Sequence, residues 1–145
     1  MLRAVLDANV YVSAYLRPEG APGQIIERFL RDAAFELVVS AEIAAEVLHA
    51  LAYPKVRKAA RSRTDPELWF EDILVLAEIV PGEYRVAGIS TDPDDDNYIA
   101  AAIEGRVPFV VSGDPDLLNV EEHEQVRCVT PRHFLDLLAK TQSRR

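Results

Sequence analysis

Along the chain the hydrophobic pattern alternates between short apolar runs and stretches with a helical period. Residues 2–6 (Leu-Arg-Ala-Val-Leu) read as a first strand that ends on Asp7 and passes through Ala8, Asn9 and Val10 into a turn or helix. Pro18, Gly20, Pro22 and Gly23 interrupt the pattern, after which Ile25, Ile26, Phe29, Leu30 and Ala33 predict a helix over 24–34. A second strand follows at 36–39, and Ser40 is placed to cap a helix over 41–53 that Pro54 stops. The basic segment 55–63 is expected to be helical, and Asp65-Pro66 restarts a helix through Leu68, Phe70, Ile73, Leu74 and Ala77. Residues 79–86 carry at most one short strand, around Pro81-Gly82. A helix over 94–104 turns Ile99, Ala100 and Ile103 inward and stops at Gly105; residues 108–112 are the clearest buried strand. Asp114-Pro115 opens a short helix, 126–129 form a last strand, and Thr130-Pro131 lead into a helix over 133–139.

Strands alternating with helices imply an α/β fold: a three-layer α/β/α domain whose central, mostly parallel sheet is covered on both faces by the crossover helices. A chain of 145 residues, 49% of them hydrophobic, suits one domain over 1–145, with its core in 1–139 and a basic, flexible tail at 140–145. No apolar run approaches the roughly 18 residues a membrane-spanning helix needs. The acidic Asp7 interrupts any leader-like apolar start, so a cytoplasmic protein is expected. The single cysteine, Cys128, excludes an internal disulfide framework and a thiolate zinc site, and reads as a small core residue. Sixteen basic residues against 24 acidic ones, a net charge of −8, argue against holding nucleic acid by overall charge. Any such contact has to be local or metal-assisted.

In open parallel sheets ligands bind beyond the carboxyl ends of the strands. Two predicted strand ends carry acids there: Asp7 directly, and Asp114 after the Ser112-Gly113 turn. Asp96 stands in the first turn of the helix over 94–104, three residues before Ile99, where the helix dipole favours a carboxylate. Glu46 lies at the edge of the arc formed by Ile43, Ala44, Val47, Ala50 and Leu51, with Glu42 as the competing choice one turn earlier. Carboxylates gathered from separate elements repel one another, and a divalent cation among them relieves that repulsion. Oxygen ligands alone point to Mg²⁺ or Mn²⁺, and the chemistry that uses such a site is phosphodiester hydrolysis.

Four runs carry a family resemblance: Leu6-Asp7-Ala8-Asn9-Val10; the Ser40 to Glu46 helix; Asp92-Pro93-Asp94-Asp95-Asp96-Asn97-Tyr98-Ile99-Ala100-Ala101-Ala102; and Val110-Val111-Ser112-Gly113-Asp114-Pro115-Asp116-Leu117-Leu118. In this order, over nearly the whole chain, they resemble the PIN-domain family, most of all its small prokaryotic members assigned as toxins of toxin–antitoxin pairs. The resemblance implies a metal-dependent endoribonuclease that cuts single-stranded RNA, is neutralised by an antitoxin protein and is often a homodimer. Asp7, Glu46, Asp96 and Asp114 fall on the family's acidic quartet, with Asp7, Asp96, Asp114 and the further acid Asp116 as metal ligands. Asn9 and Ser112 fall on its polar supporting positions. Ser112 stands where threonine is common, which keeps the hydroxyl.

Each residue also has a plainer reading. Asp before Pro is an ordinary helix start, and Asp65-Pro66-Glu67, which follows no buried strand, is expected to be only that. Asn9 serves equally as a helix cap. His49, His123 and His133 are too dispersed for a triad or zinc cluster. Lys55, Arg57, Lys58, Arg61 and Arg63 form a basic segment in an acidic protein, either a solvated face or a set of phosphate contacts for RNA, with Tyr53 as a stacking platform. Trp69 and Phe70 are candidates for an apolar patch toward a second subunit or an antitoxin. Two other functions fit less well. Strand-Asp phosphatase chemistry of the haloacid dehalogenase type needs an acid two residues after Asp7, where this chain has Asn9. A non-catalytic interaction module would hold metal only weakly.

Overall fold

In the computed structural model, which describes residues 1–60 and 63–143, strands β1 (Arg3–Leu6), β2 (Glu36–Ser40), β3 (Glu78–Val80), β4 (Phe109–Val111), β5 (Glu122–His123) and β6 (Val126–Val129) lie in one sheet. Their order is β3-β2-β1-β4-β6-β5, with every pairing parallel except the β5–β6 hairpin. Ala4, Val5 and Leu6 are all fully buried. Since successive strand residues face opposite sides of a sheet, both faces must be covered, which is the three-layer α/β arrangement.

The covering helices are α1 (Ala8–Leu16), α2 (Ala21–Asp32), α3 (Ala41–Leu51), α4 (Pro54–Ala59), α5 (Pro66–Leu76), α6 (Asp96–Glu104), α7 (Pro115–Leu118) and α8 (Pro131–Ser143). Helix α6 lies across β1, β2, β4 and β6, while α2 packs against α1 and α8. Phe134 of α8 meets Phe35 edge-on at 5.1 Å and Phe109 at 6.1 Å, anchoring this last helix to the core.

One detail of register positions everything that follows. Leu6 is paired with Val111, so the next residues, Asp7 and Ser112, leave the sheet side by side. The Asp7 N–H donates to the Val111 carbonyl at 3.1 Å, extending the ladder by one bond. The chain goes from β1 to β2 on one side and returns to β4 on the other, which makes the crevice between β1 and β4 the switch point of the sheet.

Several boundaries differ from the sequence reading. The edge strand β3 ends at Val80 and does not centre on Pro81-Gly82: proline cannot donate to a ladder, and Gly82 sits at φ +80°. The short β5 was not expected. The turn joining it to β6 holds Glu124 and Gln125 at φ 47° and 70°, a left-handed conformation usually signalled by Asn or Gly. Helix α8 continues through Ser143, so Lys140 belongs to a helix and not to a tail. A single 3-10 turn, Pro93–Asp95, precedes α6 and moves the helix start from residue 94 to Asp96.

Helix α2 begins at Ala21, three residues earlier than its apolar spacing suggests, and takes Gly23 into its first turn. A Cβ there would overlap the Pro18 carbonyl and lie 2.5 Å from its carbon. In an exposed helix, Gly→Ala gains up to about 1 kcal/mol. Here the clash reverses the sign: Gly23→Ala is expected to cost about 1–3 kcal/mol as an overpacking change, measurable as a lower midpoint in urea with an unchanged m-value.

Candidate functional site

Asp7 caps α1: its carboxylate accepts the Val10 N–H at 3.1 Å and the hydroxyl of Ser112, and it is 3% exposed. Ser112, fully buried, also accepts the Asp114 N–H at 2.8 Å, so one hydroxyl ties the ends of β1 and β4 together. Asp114 in turn caps α7 through the Asp116 N–H at 2.9 Å. Burial pushes the Asp7 carboxyl above its ordinary range, opposed by the Ser112 hydroxyl and the Val10 and Asn9 N–H groups, and pushed further by the Asp114 charge.

The loop before α6 supplies the rest. Asp92 caps the 3-10 turn through the Asp94 N–H at 3.0 Å. Asp95, at the end of that turn, is buried, and its Oδ2 has no hydrogen-bond partner among the described residues. Oxygens of Asp92, Asp95 and Asp116 lie within 4.8 Å of one another. Burial, then the charges of Asp114 and Asp92, raise the Asp95 carboxyl to about 7, with a side-chain hydrogen bond to Asp114 and the Asp7 charge acting in the same sense. Thr91 donates to Asp116 Oδ1 at 2.8 Å, and Ser90 donates its hydroxyl to the Asp116 carbonyl at 3.2 Å.

The structure redistributes the expected site residues. Asp7, Asp114 and Ser112 stand together, and Asp116 joins them through Asp92 and Asp95. Asp96 is buried and one of its carboxylate oxygens accepts the Ser90 N–H at 2.7 Å, while its neighbour Asp95 feels the charges of Asp114 and Asp7. Residues three and four apart are both neighbours on a helix, so spacing to Ile99 alone admits either acid. Glu46, largely exposed on α3, accepts the Tyr98 hydroxyl at 2.7 Å, while Glu42 pairs with Arg85 at 3.3 Å and so does not substitute for it. Asn9 is exposed at the second position of α1, where Asp7 already caps the helix, so the capping alternative falls away.

Among the basic residues, Lys55 and Lys58 are exposed, and Arg57 is paired with Asp65 at 3.5 Å and Glu67 at 3.1 Å. Arg61 lies outside the described residues. Arg63 donates to the Tyr15 carbonyl at 2.6 Å, closing the C-terminal end of α1. Asp65 is a helix cap, as expected, accepting the Glu67 N–H at 2.8 Å. Phe70 does not form a surface patch: it is fully buried, edge-on to Tyr11 at 5.2 Å. Trp69 packs on Tyr15 at 5.3 Å and lines a cavity of about 460 Å³ with Ile26 and Leu30. Cys128 is buried and its thiol is pushed up to about 11 by burial, as suits a core residue.

The PIN-domain family model matches residues 3–116, a span that holds every one of these acids. The chain belongs to the PIN-domain family. It is 22% identical over 147 residues to the uncharacterized protein MJ1680 of Methanocaldococcus jannaschii, covering 96% of this chain and 93% of that protein. The PIN fold is shared with a chain of VapBC2 from Rickettsia felis, solved bound to a DNA fragment from their promoter, at a TM-score of 0.57 and 13% identity over 89% of this chain and 98% of that one. It is shared also with PAE2754 from Pyrobaculum aerophilum, at a TM-score of 0.55 and 14% identity over 96% and 90%.

The donor set of this PIN site fits a hard divalent cation. It offers only oxygens, and the buried, unpartnered Asp95 Oδ2 is the atom such an ion would satisfy. Two predictions follow from the charge. A group whose folded-state pKa is raised contributes stability below its unfolded value and loses it as pH rises through the folded value. In EDTA the melting temperature is therefore expected to fall as pH rises from about 5 toward 7 and to level off above 7, once Asp95 has lost its proton. In Asp95→Asn that slope should flatten, and Mn²⁺ should no longer raise the melting temperature at pH 8; a parent-like response of this variant would remove Asp95 from the site. Ser112→Ala removes the donor that fixes Asp7 and is expected to weaken Mn²⁺ binding about 10- to 100-fold, the usual effect of losing a group that orients a ligand, as read by calorimetric titration.

Proposed function

We propose that this PIN-domain chain is a metal-dependent endoribonuclease that cleaves single-stranded RNA at the β1–β4 crevice, using Mg²⁺ or Mn²⁺. The observation that carries this reading is the buried Asp95 carboxylate, without a partner for Oδ2, among the acids of Asp7, Asp92, Asp114 and Asp116. Asp7, Asp95, Asp114 and Asp116 would hold the cation, with Asp96 fixing the loop that carries Asp95. When bound, the ion would neutralise the acids, polarise the scissile phosphate and favour ionisation of the attacking water.

The protein's own groups set the geometry. Ser112 and the Val10 N–H hold the two oxygens of Asp7 in fixed directions. Thr91 does the same for Asp116. Glu46, with Oε2 bound to the Tyr98 hydroxyl, would use Oε1 to accept a proton from water. Lys55 and Lys58, exposed on α4, would offer their side chains to RNA phosphates, together with the expected contribution of Arg61. Arg57, neutralised by Asp65 and Glu67, would contribute less. Asn9, exposed beside Asp7, is a supporting polar group.

Likeness in fold to a VapBC2 chain and the family membership support a toxin–antitoxin setting, with an antitoxin protein as partner, a homodimer as the working unit and the cytoplasm as the compartment. Among the described residues no helix is long and apolar enough to cross a membrane. The test is cleavage of single-stranded RNA by the purified chain in Mn²⁺ and in EDTA. Cleavage is expected only with the ion and should fall at least about 100-fold, nearly 3 kcal/mol of activation free energy, in Asp7→Asn and Asp95→Asn. Cation binding without cleavage of any RNA would favour the interaction-module reading; cleavage undiminished in both variants would end the proposal.

A further inference from the structure

We propose that Tyr98 is the positioning residue that fixes Glu46 against the start of α1, its phenolic oxygen accepting the Ala8 N–H at 3.1 Å while its hydroxyl donates to Glu46 Oε2 at 2.7 Å. This assignment rests on the nuclease reading of the same site and adds a residue to it. Glu46 is a long side chain on an exposed stretch of α3, and nothing about its helix position holds it in one rotamer. Tyr98 is the reverse: an aromatic side chain with few rotatable bonds, 2% exposed, carried on α6, which packs against both α3 and β1.

The geometry leaves the phenol one arrangement. Ala8 is the first residue of α1, and its N–H has no carbonyl within the helix to bond. Asp7 satisfies the N–H of Val10, so Ala8 turns to Tyr98. A hydroxyl that accepts from a backbone N–H, which can only donate, must spend its single proton elsewhere. Glu46 is where that proton goes. Burial and the adjacent Glu46 carboxylate both raise the phenol above its ordinary range, so it remains a donor near neutral pH. Because Ala8 is bonded directly to Asp7, the Tyr98 oxygen has a fixed place relative to the acidic cluster, and it passes that placement on to Glu46. The assignment needs the hydroxyl and not merely the ring.

Mn²⁺ affinity, followed by electron paramagnetic resonance, and RNA cleavage are measured for the parent, Tyr98→Phe, Glu46→Gln and the double variant. Tyr98→Phe is expected to reduce kcat about 10-fold, the lower end for a lost orienting partner, with KM for RNA and Mn²⁺ affinity unchanged. If Tyr98 acts through Glu46, the double variant is no weaker than Glu46→Gln alone. Losses that multiply in the double variant, or a Tyr98→Phe protein equal to the parent, would overturn the assignment. Glu46→Asp, an exposed change that keeps the charge but is one methylene too short to reach the phenol, gives the same answer should Tyr98→Phe fail to fold: parent-like cleavage would overturn the assignment. Asp95→Asn separates the two levels. If it leaves Mn²⁺ binding intact, or the parent binds none, the nuclease reading falls and this assignment with it. If it abolishes binding and cleavage while Tyr98→Phe cleaves RNA like the parent, only the role of Tyr98 falls.

Discussion

Mutual repulsion of carboxylates is the constraint around which this fold is arranged. Oxygens of Asp92, Asp95 and Asp116 lie within 4.8 Å of one another, and their mutual repulsion opposes full ionisation of the cluster. A proton gives partial relief, and the raised carboxyl of Asp95 is its signature. A divalent cation gives the rest, which is why the acids of a PIN domain read more naturally as a binding site than as a solvated face.

What lets the chain tolerate that concentration of charge is the way the acids are mounted. Asp7, Asp92 and Asp114 each cap the start of a helix or 3-10 turn, accepting a backbone N–H of its first turn. Helix starts carry partial positive charge, so the same placement that satisfies a local hydrogen bond also stabilises the negative side chain. Capping and ligand chemistry are thus not competing explanations for an Asp-Pro sequence. Asp65 and Asp114 look alike in sequence and in local hydrogen bonding, and differ only in that one follows the central strand β4 and the other does not. Function is decided by where the cap sits in the sheet, not by the cap.

That distinction also explains how far the sequence could be read. The apolar runs at 3–6 and 109–111 are buried on both faces, so their pattern was unambiguous, and with it the parallel core and the placement of Asp7 and Asp114. The short pairings depended on things no apolar pattern carries. The edge strand β3 is set by its partner β2, and β5 by a turn whose Glu124 and Gln125 adopt a conformation their residue types do not advertise. In the acidic run before α6, the direction in which Asp95 leaves the chain is set by a single 3-10 turn, which the apolar spacing does not carry. Tyr98 carries no sequence signal of its own, because an aromatic in an alanine-rich helix is ordinarily a core residue. It is core by burial, but its one polar atom serves the site.

Charge balance, finally, dictates an order of events for the proposed activity. With a net charge of −8 and its acids gathered at one crevice, the chain repels a phosphate backbone in the very place where cleavage would occur. The basic helix α4 offsets this only in part, because Arg57 is already neutralised by Asp65 and Glu67. An RNA strand can therefore approach productively only after the acids have been neutralised, so cation uptake precedes substrate. The same logic limits the proton: neutralising Asp95 with hydrogen removes one charge from the cluster but leaves no cation to polarise a phosphate. Acidification then quiets the repulsion without creating the site, and only a divalent ion does both.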